Sequence, residues 1–130
     1  MDKRSWDIFD LLYRLGISAN YTGFFQTARA VELCREEPER LLLVTKLVYP
    51  DVARLYRTSR GAVERNIRTV CGVAWKHDRR MLERLAHTQL PQKPGNTQFL
   101  AILLYSLPVY RSAPGEAALT EGLLDFGDLP

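Results

Sequence analysis

The segment Tyr49–Trp75, YPDVARLYRTSRGAVERNIRTVCGVAW, limits the fold more than any other part of the chain. It reads as a short helix, a tight turn and a longer helix. Pro50 suits a helix start, because the missing proline N–H would be unpaired there anyway. Val52, Ala53 and Tyr56 give the short helix an apolar side, and Ala53 is small enough to let a second helix pack close. Thr58 and Ser59 interrupt the pattern. The Ser59 hydroxyl can accept from the orphan N–H groups of the next helix. In that helix Val63, Ile67, Val70 and Ala74 recur at the spacing of a core-facing stripe.

At about 100° per residue, Arg65 and Arg68 fall opposite the stripe. Gly61, Thr69 and Gly72 share that side, with Glu64 at its edge. Such a surface is low and basic. Arginine can grip guanine O6 and N7 with two hydrogen bonds, and glutamate can accept from the cytosine amino group. Glu64 and Arg68 also have the spacing of an ordinary solvated i,i+4 pair. The short helix and turn before them tip the balance, since together they form a helix-turn-helix pattern.

The charge distribution agrees. The formal net charge is only +3, but it is uneven. Arg54, Arg57, Arg60, Arg65, Arg68, Lys76, Arg79, Arg80 and Arg84 crowd the middle of the chain, against Glu64, Asp78 and Glu83. Beyond residue 108 only Arg111 opposes Glu116, Glu121, Asp125 and Asp128. Clustered positive charge in a mid-chain module suits a polyanion such as nucleic acid. With 130 residues, 46% of them hydrophobic and 25% charged, one soluble globular domain is the expectation. Cys34 and Cys71 have no paired spacing and read as buried thiols in a reducing cytoplasm. MDKRSWD does not open a signal peptide, and the apolar run Phe99–Tyr110 is too short to cross a bilayer.

Elsewhere the spacing predicts further short helices. Ser5 can cap a helix over 5–15, with Ile8, Leu11, Leu12 and Leu15 inward and Gly16 ending it. A second helix runs about Phe24–Arg35, through Phe24, Ala28, Val31 and Leu33. A third starts at Glu36-Glu37-Pro38 and runs to about Val48 through Leu41, Leu42, Val44, Thr45 and Leu47. Asp78 can cap a short helix over Arg79–Ala86. Residues 87–96 form a loop. Asn96 or Thr97 can cap a last helix, Gln98–Leu107, with Phe99, Ile102, Leu103 and Leu107 inward and Pro108 as its stop. Nothing alternates with period two over a strand's length. The fold expected is all-α, a compact bundle of six or seven short helices over residues 1–108, with a flexible acidic tail over 109–130.

From about Ile8 to Leu107 the chain resembles the effector domain of the master sporulation response regulator, the stage-zero sporulation protein A family. TKLVYPDVARLY, VERNIR and GVAW carry the likeness, with LGIS-AN-YTGF before and KPGNTQFLAI after them. The resemblance implies a six-helix domain that binds short promoter boxes with a TGTCGA-like core. It also implies head-to-tail pairing on tandem boxes and contact with RNA polymerase. Glu64, Arg65 and Arg68 match positions of the family's recognition helix. Asn20 stands where the family has a histidine in a backbone-contacting turn. Ala62 stands where the family has an arginine used in base recognition. The family's full-length regulator has an N-terminal receiver domain, and residues 1–14 leave no room for one. Phosphorylation-driven dimerisation is therefore not expected within this chain.

Two readings follow. The first is a sequence-specific double-stranded DNA-binding transcription regulator of the bacterial cytoplasm, on the nucleoid when bound. Glu64, Arg65, Arg68 and Arg60 are its base-contact candidates. Asn20, Arg54, Arg57, Ser59, Thr69, Lys76 and Arg79 are its backbone-contact candidates. The second is an interaction module that modulates a full-length regulator or polymerase without reading DNA itself; Ala62 and the acidic tail support it. Neither needs a metal or cofactor, and neither is an enzyme. His77 and His87 lack metal-ligand spacing, and no catalytic motif is present. Trp6 and Trp75 are expected to pack in or near the core.

Overall fold

A computed structural model describes residues 5–107, and the fold is all-α. Its elements are α1 (Trp6–Arg14), α2 (Gly23–Glu36), a 3₁₀ segment (Pro38–Leu43), α3 (Val44–Leu47), α4 (Tyr49–Leu55), α5 (Arg60–His77), α6 (Arg79–Ala86) and α7 (Asn96–Tyr105). No strand occurs among the described residues. The acidic tail over 109–130 lies outside them.

The core is built around α7. Every residue from Phe99 to Tyr105 is buried. A helix that is apolar all round belongs inside a protein, and α7 packs against α2, α5 and α6. Ile8, Leu12, Phe24, Val31, Ile67 and Leu82 close around it from the other helices. α1 ends as its glycine predicts. Gly16 adopts φ 88°. Its N–H reaches the Tyr13 carbonyl at 3.0 Å, and the Ile17 N–H reaches Leu12 at 2.9 Å. This is the paired-bond C-terminus that a left-handed glycine allows.

Several local expectations fail. Ser5 is buried and makes no side-chain cap. Asp7 instead accepts from the Ile8 N–H at 2.9 Å and from Arg35 at 2.9 and 3.0 Å, which ties α1 to α2. The single helix expected from Glu36 to Val48 is split at Leu43, with φ −146° and ψ 65°. Leucines at 41, 42 and 43 point to no one side, so no single stripe holds that stretch straight. Leu41, Val44 and Val48 reach the core, while Leu42, Leu43 and Leu47 stay exposed. Arg40 fastens the broken segment by donating to the Leu47 carbonyl and, at 2.8 Å, to Asp51. The last helix starts earlier, after Gly95, and neither Asn96 nor Thr97 caps it. Tyr56 is 39% and Trp6 65% exposed, so neither is a core residue.

Candidate nucleic-acid interface

The turn between α4 and α5 is made by a residue that is not glycine. Arg57 adopts φ 54°. The Thr58 N–H reaches the Ala53 carbonyl at 2.9 Å, and the Arg57 N–H reaches Arg54 at 3.4 Å. The hydrogen-bond pattern is that of the α1 terminus, with an arginine in the glycine position. Ser59 is extended, and its hydroxyl accepts from the Ala62 N–H at 3.1 Å, as its sequence position predicts. Asp78 likewise caps α6 by accepting from the Met81 N–H at 3.0 Å.

α5 is held on three sides. Val63, Ile67, Val70, Cys71 and Ala74 are buried against the core. Gly23 of α2 lies so close that a Cβ there would stand 2.5 Å from the Asn66 carbonyl oxygen. The Asn66 amide also donates to Gln26 at 3.0 Å. On the other side, Asn96 donates to the Tyr49 hydroxyl at 3.1 Å and to the Glu64 carbonyl at 2.9 Å. Burial pushes the Tyr49 hydroxyl up, so it stays protonated.

The remaining face is open. Gly61 borders empty space, Arg65, Arg68, Thr69 and Lys76 are exposed on this face, and Arg60 is exposed at the first position of the helix. Arg57, in the turn before α5, is exposed as well. Among the described residues Arg57, Arg60, Arg65 and Lys76 form no ion pair. Arg68 pairs with Glu64. The Thr69 hydroxyl donates to the Arg65 carbonyl at 3.1 Å, so it must turn away from its own helix before it donates to anything else.

The other sequence candidates lie apart. Asn20 is exposed in the turn between α1 and α2. Arg54 points outward and meets Asp51 at 3.2 Å. Arg79 braces the protein itself. It stacks 4.5 Å from the Trp75 ring centroid and donates to the Leu90 carbonyl at 2.6 Å. Glu83 accepts from the Leu90 N–H at 2.7 Å, so α6 holds both backbone groups of one loop residue.

One basic residue of this surface was not among the sequence candidates. Lys93 lines a cleft of about 410 Å³ together with Thr45, Tyr49, Glu64, Arg68 and Thr97. The loop that carries it is fixed by the Cys71 thiol, which donates to the Pro94 carbonyl at 3.4 Å. No local pattern signals that contact. The two cysteines are free and buried, and burial pushes each thiol up to about 12, which makes them poor nucleophiles. No cluster of three metal-ligating side chains occurs among the described residues, and no helix there is long and apolar enough to cross a membrane.

The family described as sporulation initiation factor Spo0A C terminal matches residues 8–107. The match spans α2 to α7 entirely and α1 from Ile8, so it takes in the two-helix unit and the loop beside it. The chain therefore belongs to the family of the sporulation initiation factor Spo0A C-terminal domain, the DNA-binding domain of a sporulation regulator.

Proposed function

We propose that this chain regulates transcription by reading short promoter boxes in double-stranded DNA, with α5 in the major groove. The observation that carries the reading is the division of α5. Its apolar stripe is fully buried, while Arg65, Arg68 and Lys76 stand exposed on the opposite face, Arg68 paired with Glu64. Arg65 and Arg68 take guanine edges, Glu64 takes a cytosine amino group, and Arg60 reaches bases near the helix start. Glu64 and Arg68 pair with each other in the free protein, and that pair exchanges for base contacts on binding. Asn20, Arg54, Arg57, Ser59, Thr69, Lys76 and Arg79 serve the DNA backbone, which sets position and affinity rather than sequence. For Arg79 that role competes with its contacts to Leu90 and Trp75. Ala62 leaves a base unread that the family's arginine would contact, so the preferred box differs there.

Head-to-tail pairing on tandem boxes and contact with RNA polymerase belong to the same reading, as does a place in the cytoplasm on the nucleoid. The exposed side chains of Trp6, Tyr13, Leu55 and Tyr56 supply apolar surface for protein contacts. The acidic tail, 109–130, is a separate segment in this scheme.

The deciding measurement is affinity for a tandem-box duplex with a TGTCGA-like core and for a random duplex of equal length. Arg65→Ala and Arg68→Ala should each weaken the box complex by about 1–3 kcal/mol, and the random complex far less. Equal losses on both duplexes would overturn base readout. Selection from a random duplex pool would then report the box and the base opposite Ala62.

A further inference from the structure

A helix lying in the major groove has a phosphate strand on each side, because the groove is only about 12 Å wide. The exposed face of α5 accordingly has two edges. At about 100° per residue, Ala62, Asn66 and Val73 form one, and Glu64 and Arg68 form the other. The first edge is flanked by the turn between α1 and α2. Gly23 lies against Asn66 there and Gly16 against His77, and the turn between them carries Asn20. The second edge is flanked by the loop before α7. A Cβ on Gly72 would stand 4.0 Å from the Lys93 Nζ, and Asn96 holds the Glu64 carbonyl.

Charge in the cleft on that second edge is decided by one residue. Glu64 and Arg68 neutralise each other. Lys93 is exposed and forms no ion pair among the described residues. Thr45 and Thr97 line the same cleft. The cleft therefore carries an uncompensated positive charge beside the outward face of α5. The loop under Lys93 is fixed by Pro94, which is buried and accepts from Cys71.

We infer that Lys93 is a phosphate contact, gripping the DNA strand that runs past the Glu64–Arg68 edge of α5. The inference rests on α5 lying in the major groove. The contact is sequence-independent and complements the Asn20 turn on the other flank. Lys93 positions the helix, and the arginines of α5 read the bases.

The experiment is a salt titration of binding on the tandem-box and random duplexes, using the whole chain, Lys93→Gln and Lys93→Arg. Each phosphate contact contributes a slope of about −0.9 in log K against log salt. Lys93→Gln should lower the slope by about one on both duplexes, and weaken both by a similar factor, roughly threefold to tenfold at moderate salt. Lys93→Arg should keep the slope. An unchanged slope in Lys93→Gln would overturn the contact, and so would a loss confined to the box duplex. If Lys93→Gln changes the slope while Arg65→Ala fails to discriminate the duplexes, base readout falls and the phosphate contact stands. If the unaltered chain binds neither duplex, both fall together.

Discussion

The side-chain amide of Asn96 lies 2.9 Å from the backbone carbonyl of Glu64. One residue at the start of α7 thus fixes the height of α5, the helix proposed to read bases. The same amide reaches the Tyr49 hydroxyl at the start of α4, so both helices of the two-helix unit hang on it. Asn96→Ala should cost about 1–3 kcal/mol in denaturant unfolding, because two polar partners lose their bond. It should also weaken the box complex, although Asn96 carries no charge. Unchanged stability would show that water replaces the amide without loss.

The crossing of α2 and α5 depends on Gly23 having no side chain. A Cβ there would stand 2.5 Å from the Asn66 carbonyl oxygen and 2.7 Å from Val70 Cγ2. Backbone cannot yield as a flexible side chain can, so Gly23→Ala should destabilise the fold by about 1–3 kcal/mol. Gly61→Ala is the control, because that position borders open space. There the added methyl should stabilise by up to about 1 kcal/mol through helix propensity. Like effects at the two glycines would refute the close-contact argument.

Arg57 gives a prediction of opposite sign for two measurements. Its φ of 54° is a conformation that suits glycine. Arg57→Gly relieves the left-handed cost of a side chain, about 1 kcal/mol, less the entropy gained by the unfolded chain. Thermal unfolding should therefore move up slightly. If Arg57 serves a phosphate as proposed, DNA affinity should fall on box and random duplexes alike. A stability loss would mean that the arginine side chain packs more than it strains.

The acid limb of stability should report on Asp51. The Arg40 hydrogen bond holds its carboxyl below the usual range, with Arg54 adding to the effect. A depressed folded value contributes stability above the unfolded value, near about 4, and loses it as pH falls through the folded value. Asp51→Asn should thus be less stable than the parent at pH 7. The gap should close as pH drops below about 4. A gap that is constant with pH would show that the pair is screened out and that shape alone matters.

What the sequence revealed was what neighbouring residues decide. The Val63–Ile67–Val70–Ala74 stripe, the Ser59 and Asp78 caps and the Gly16 terminus all rest on groups a few residues apart, and all are found. The same holds for the basic face, since it is the back of the stripe. Contacts from far along the chain overrode local preference elsewhere. Asn96 has the chemistry of a cap but turns to Tyr49 and Glu64. The leucines of 41–43 offered no single side, and Arg40 and Asp51 set the break. Lys93 looked like a loop lysine because a Cys71–Pro94 contact places it. Arg57 carries no sign of its turn, since a left-handed arginine looks like any other in a sequence.

The burial of α7 also bears on when the protein becomes competent during synthesis. Helix α5 is complete in covalent terms at His77, yet its hydrophobic side faces a helix that is finished only at Tyr105. A growing chain released before that point would present a leucine- and valine-rich trough with no plug. On the proposed reading, a chain that ends before α7 should therefore fail to occupy a promoter even though every residue of α5 is present.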